Sequence, residues 1–305
     1  MRFLLKPLAL ISGIALAACA VGQTADSKND NGAEKAGHLM TWPDLLGRPR
    51  PAPGASVHYG ADPLQVADVW LPAGNGPHPV ALMVHGGCWQ TDIADRTIMN
   101  WIAEDLRRRG IAVWNIDYRG VDRPGGGYPG TFQDAAAAAD ALRAHAAQYH
   151  LDLRRVVAIG HSAGGHLALW LAARPRLLAN SPLRTADPLP IAEVISLGGL
   201  PDLEETARSE NGCGNEVVAR LTGGHFADTS VPRLAPLGLP QVLINGRQDR
   251  IIPIPYAEGY ARRMRAAGDD VRVRMLDATG HVELVAPETA AWAAAVQELQ
   301  RAFAR

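Results

Sequence analysis

Lysine is almost missing from this 305-residue chain: Lys6, Lys28 and Lys35 are the only three, and arginine supplies every later basic charge. Cysteine is as scarce, with Cys19, Cys88 and Cys213 alone. Three are too few for a disulfide scaffold, and their spacing fits no zinc pattern. Neither sign of charge is in excess, 30 Lys+Arg standing against 31 Asp+Glu. That balance excludes a basic field for nucleic acid and an acidic tail. Internal repeats and a Rossmann-type glycine fingerprint are missing too. What is present is apolar: 47% hydrophobic against 20% charged residues, enough for a large core and incompatible with wholesale disorder.

The first residues differ from the rest. A basic start with Arg2 and Lys6 precedes the apolar run Leu8–Ala18, the layout of a secretory signal. The run is well short of the ~20 residues that span a bilayer. Leu16-Ala17-Ala18-Cys19 resembles the bacterial lipobox, in which cleavage before the cysteine exposes it for lipid attachment. The expectation is a signal peptide over 1–18, a lipidated Cys19, and a flexible tether over 19–54 that is polar and unpatterned at its start. Ala20 stands where an aspartate would retain the protein in the inner membrane, which points to the outer membrane, facing the periplasm. The alternative is an ordinary signal cut near Ala18 or Ala20, with no role for Cys19.

From about residue 55, short apolar runs alternate with helical patterns. Strands are expected at Gln65–Leu71, Val80–Val84, Ile111–Ile116, Val156–Ile159, Val194–Leu197, Gln241–Asn245 and Val271–Leu276. Helices are expected near Thr97–Arg109, Phe132–Tyr149, Ala163–Ala173, Pro255–Ala267 and Pro287–Phe303. Such alternation, with nearly all-apolar central strands, argues for an α/β domain over 55–305 whose mostly parallel sheet is covered on both faces. The less regular stretch 202–226 reads as a small cap-like insertion.

Strand Val156–Ile159 runs into Gly160-His161-Ser162-Ala163-Gly164 and then into a helical run. Gly-x-Ser-x-Gly between strand and helix is the nucleophile elbow, a turn too sharp for side chains beside the serine. It puts the Ser162 hydroxyl at a helix N-terminus, where developing negative charge is favoured. Val80–Val84 leads into His85-Gly86-Gly87-Cys88-Trp89. Backbone N–H groups best stabilise an acyl-transfer oxyanion, and here the donors are Gly86, Gly87 and Ala163. His85 is expected to brace this loop; Trp89 either lines the pocket or packs beneath it.

A general base and an acid complete the set, in the chain order Ser, acid, His. Asp249 follows strand Gln241–Asn245, and His281 follows strand Val271–Leu276, so both fall in loops at the sheet edge where ligands bind. Asp277 is the alternative acid. His161 and His166 flank the serine too closely to serve as its base and are structural or pocket residues; His225, in the suspected cap, is a further pocket candidate. No metal site and no cofactor are expected.

Over residues 55–305 these motifs resemble the α/β-hydrolase superfamily. The form His85-Gly86-Gly87-Cys88-Trp89, together with Asn115-Ile116-Asp117-Tyr118 and Tyr128-Pro129, is similar to the branch holding arylformamidases and bacterial carbohydrate-ester and feruloyl-type esterases. The resemblance implies a serine hydrolase that cleaves a small carboxylic ester, and the lipobox adds the expectation that it is held at the membrane through Cys19. Arylformamidase, prolyl-oligopeptidase-like peptidase and a catalytically silent envelope-binding module are the alternatives. Export permits a Cys88–Cys213 disulfide clamping the cap over the site; two unpaired thiols are the other outcome.

Overall fold

Short, nearly continuous apolar runs build a sheet with two buried faces. In the computed structural model, which describes residues 38–209 and 212–305, eight strands form it: β1 (Ala55–His58), β2 (Val66–Trp70), β3 (His78–Val84), β4 (Ala112–Ile116), β5 (Leu151–His161), β6 (Glu193–Leu197), β7 (Gln241–Gly246) and β8 (Val271–Leu276). Their order is β1-β2-β4-β3-β5-β6-β7-β8. The β1–β2 and β2–β4 pairs are antiparallel and all others parallel. The expected signal peptide, Cys19 and the tether through residue 37 lie outside the described residues.

The helices divide between the two faces. Along β3, Val80, Leu82 and Val84 join one core while Ala81 and Met83 join the other, as side chains of successive strand residues must. The first core is closed by α3 (Gly130–His145), α4 (Ala163–Ala173) and α8 (Pro255–Ala266), through Phe132, Leu167 and Tyr260 among others. The second is closed by α2 (Asn100–Arg108) and α9 (Ala290–Phe303), through Ile102, Leu106 and Trp292. A fully buried residue of this kind contributes roughly 2 kcal/mol over its exposed state, so both faces are strongly specified.

Register sets the position of the site. Val84 lies opposite Gly160, His161 opposite Leu197, and Leu197 opposite Ile244. Strands β3, β5, β6 and β7 therefore stop together at one edge, and the loops leaving them emerge side by side.

Three features differ from expectation. Strand β1 was not expected, because only Val57 of its four residues is buried and its apolar signal is slight. Strand β5 starts at Leu151 rather than Val156, the polar Asp152, Arg154 and Arg155 satisfying one another at the sheet end. The third is a correction to the tether over 19–54. Residues 42–46 form a short helix, α1 (Trp42–Leu46), with the Asp44 carboxylate accepting from the Thr41 N–H (2.7 Å) and hydroxyl (2.6 Å). Leu45 is fully buried in the second core, so the described segment from residue 38 is packed onto the same compact unit as the sheet.

The stretch expected to form a cap folds as α5 (Leu203–Arg208) and α6 (Asn215–Thr222), followed by α7 (Phe226–Thr229). It is docked onto α4 by two ring donors: His166 Nε2 donates to Thr229 O and Trp170 Nε1 to Asp228 O, each at 2.8 Å. Burial lowers the His166 pKa from its ordinary 6.5 to about 4, the bond to Thr229 opposing the shift only in part.

Two outcomes are expected. Leu45→Ala should destabilise the protein by about 2–4 kcal/mol in urea titrations; a free tether would give no change. Acidification should also destabilise it, because the unfolded chain protonates His166 below pH 6.5 and the folded one only near pH 4. The stability is present above that window and declines as pH falls through it, by on the order of 2 kcal/mol between pH 7 and 5. His166→Gln should flatten that dependence, and equal pH slopes in the two proteins would refute the argument.

Candidate active site

The elbow is built by close approach of backbones. A Cβ on residue 160 would lie 2.0 Å from Gly164 O, and one on residue 164 would lie 2.2 Å from Val84 O. Glycine is therefore required at both, and Ser162 between them adopts φ 54°, ψ −123°, a region that L residues rarely occupy. Its N–H donates to Leu197 O (2.8 Å) and its carbonyl accepts from Gly165 N (2.8 Å). The turn is thus held by the neighbouring strand and by the first turn of α4.

The loops after β7 and β8 bring Asp249 and His281 together. Asp249 Oδ1 accepts from the backbone N–H groups of Ile251 and Ile252, both at 2.8 Å. Its Oδ2 accepts from His281 Nδ1 at 2.7 Å. A carboxylate so satisfied can only act as an acceptor, so the imidazole carries its proton on Nδ1 and keeps the Nε2 lone pair. Asp277 instead pairs with Arg247 at 2.9 Å on the surface, its side chain 90% exposed.

Two further groups hold His281. His161 Nε2 donates to His281 O at 3.1 Å, with the ring centroids 4.3 Å apart. Burial, and then the charge of His281 nearby, push the His161 pKa well below its ordinary value, so His161 stays a neutral donor. Glu283 was missed in the sequence, where nothing sets an acid flanked by valine and leucine apart. Its Oε2 accepts from Gly280 N (3.0 Å) and its Oε1 from Met40 N (2.5 Å). One carboxylate thereby ties the base-bearing loop to the segment before α1.

Opposite lies the loop after β3. Gly87, Cys88 and Trp89 all have positive φ, at 99°, 52° and 54°. His85 does brace this turn: Nδ1 donates to Gly86 O (2.7 Å), and Nε2 meets Asp117 Oδ1 (2.9 Å). Tyr118 stacks on His85 at 4.4 Å and its hydroxyl donates to His85 O (3.1 Å). Burial works to raise the Asp117 pKa, but His85, Arg96 and the Tyr118 N–H together hold it below the usual carboxylate value. A disulfide joins Cys88 to Cys213, with Cα atoms 5.2 Å apart, and so ties the turn to the segment before α6.

Ser162 and His281 line one cavity of about 320 Å³, together with His161 and Gly87. Ala163 is the first residue of α4, a Cβ on Gly86 would approach Ser162 Cβ to 3.0 Å, and Gly87 lines the same cavity as the serine. The remaining walls are apolar: Trp42, Leu46, Ile93, Ala94, Ile98 and Ile251, with Cys88. Of the large apolar side chains exposed among the described residues, Leu46, Ile93 and Ile251 all line this cavity. An apolar hollow with a few convergent polar groups suits a small organic ligand. Two pocket expectations are corrected. Trp89 is wholly buried, edge-on to His166 at 5.5 Å, because the left-handed backbone turns its side chain under the loop. His225 stacks on Tyr128 at 4.1 Å at the surface of the cap and is not among the cavity walls.

Comparison with known proteins extends this picture. The BD-FAE family model matches residues 67–260. Esterase LipC of Mycobacterium tuberculosis is 31% identical over 246 residues, which span 74% of this chain and 58% of that protein. A probable isoprenylcysteine alpha-carbonyl methylesterase ICME of Oryza sativa subsp. japonica is 26% identical over 243 residues, 75% of this chain and 58% of its own. The chain thus spans little more than half the length of these relatives. Among solved structures, Esterase B from Lactobacillus rhamnosis superposes with a TM-score of 0.69 at 21% identity, covering 84% of this chain and 88% of that one. A truncated carbohydrate esterase from gut microbiota superposes at 0.67 and 18% identity, covering 84% of this chain and all of its own. The chain belongs to the BD-FAE family and has the α/β-hydrolase fold.

Proposed function

We propose that the protein hydrolyses carboxylic esters through an acyl-enzyme on Ser162. The observation that carries this reading is the 2.7 Å contact of Asp249 with His281 beside the cavity that Ser162 shares. In the forward half-reaction, His281 Nε2 accepts the Ser162 proton as Oγ attacks the ester carbonyl. The negative charge moves to the carbonyl oxygen, which the N–H groups of Gly86, Gly87 and Ala163 stabilise. Collapse of that intermediate breaks the acyl–oxygen bond, and the alcohol leaves with the proton from His281. Water then attacks the acyl group, gives its proton to His281, and releases the carboxylic acid as Ser162 regains its hydrogen. Asp249 holds the ring's tautomer and stabilises the imidazolium formed in each half. The relatives described as esterases support this chemistry.

We also assign the protein to the cell envelope, carried on a lipid at Cys19. The run Leu16-Ala17-Ala18-Cys19 supports this, and the Cys88–Cys213 bridge suits an oxidising compartment.

Ser162→Ala should lower turnover of p-nitrophenyl acetate by about 10³-fold or more, with an unchanged circular dichroism spectrum; undiminished turnover would exclude the assignment. In cells fed labelled palmitate, the protein should take up label and Cys19→Ala should not. Equal labelling of the two would exclude the anchor.

A further inference from the structure

We propose that Trp42 is a partition that sets the length of acyl chain the site accepts; this rests on the ester hydrolysis proposed above. The indole stands edge-on to both histidine rings beside the serine, with centroids 6.0 Å from His161 and 6.5 Å from His281. The indole is also a wall of a second hollow, an open surface groove of about 340 Å³. Trp42, Ile251 and His281 are walls of both hollows. His281 is held by Asp249, and the Ile251 backbone N–H donates to the same carboxylate. The indole is the bulkiest of the three shared walls, and so the one whose truncation would open the path most.

The far cavity is itself suited to an aliphatic chain. Leu39, Met40 and Val282 contribute apolar surface, with Gln248 and Arg250 as polar members. The near cavity is apolar apart from the serine and histidines. An acyl chain seated on Ser162 and running past position 42 would pass from one hydrophobic hollow into the next. In the wild type the indole closes that path, so short acyl groups are favoured. Burying each further methylene is worth roughly fourfold in binding when the wall is absent.

The partition is held independently of its own ring. Glu283 fixes the Met40 N–H and the fully buried Leu45 anchors α1, while Trp42 is only half-buried. The residue proposed to set chain length is thus distant along the chain from the nucleophile, and lies outside the residues 67–260 that the family model matches.

The test compares wild type, Trp42→Ala and Trp42→Phe in kcat/KM for p-nitrophenyl octanoate over acetate. The ratio should rise by about tenfold or more in Trp42→Ala and by about threefold in Trp42→Phe. A folded Trp42→Ala with an unchanged ratio would overturn the proposal; if that variant does not fold, an unchanged ratio in Trp42→Phe does so. Calorimetric titration with octanoate gives a readout without turnover, in which Trp42→Ala, or Trp42→Phe in its place, should bind more tightly than wild type. Should wild type cleave no ester at all, the hydrolase reading fails, while calorimetry still decides the partition: no gain in octanoate affinity overturns it.

Discussion

A side chain on residue 164 would overlap the carbonyl oxygens of both Val84 and His85, and the arrangement of the site follows from that close approach. Because α4 begins against the end of β3, the two strands must finish in register, as Val84 opposite Gly160 does. The same contact brings the turn after β3 next to the serine, so Gly86 sits within van der Waals reach of Ser162. Any loosening of the approach would separate Ser162 from the loop proposed to stabilise its oxyanion. The strained φ of Ser162 is maintained by neighbours on both sides, Leu197 and Gly165.

The turn after β3 needs support because three successive residues have left-handed backbone, two of them not glycine. Several independent interactions supply it. His85 links the carbonyl of Gly86 to Asp117, Arg96 bridges Asp117 and Asp68, and Trp89 is buried beneath. The disulfide adds a covalent link between this turn and the segment before α6. A buried carboxylate such as Asp117 would be costly alone; with three donors it stays ionised and acts as an anchor.

The central strands and the elbow were legible because each rests on a local rule. Short continuous apolar runs mark β3 through β7, and Gly160, Ser162 and Gly164 encode a turn that tolerates little else. His85 was legible as a brace because it precedes two glycines at a strand end. What escaped reading depends on distant partners. Strand β1 has one buried residue and is defined by pairing with β2. Segment 38–46 looks like a linker because only Leu45 of its apolar residues is fully buried, and its other anchors, such as Met40 to Glu283, are made to residues far along the chain. Glu283 was invisible for the same reason: its role is a bond to Met40, 243 residues away.

These long-range contacts converge on the loop that carries His281. The imidazole is held by Asp249, the backbone carbonyl of the same residue by His161, and the preceding glycine by Glu283. Fixing a loop residue costs roughly 1–2 kcal/mol in backbone entropy, and each of these bonds offsets part of that cost before any substrate arrives. In the proposed mechanism, an imidazole aligned in advance needs no reorganisation during proton transfer. Glu283 extends the same economy outward, since its other oxygen holds the segment that supplies Trp42 and Leu46 to the cavity. The residue that steadies the base loop thus also steadies a wall of the binding hollow, so displacement of that wall would be transmitted through one carboxylate to the backbone beside His281.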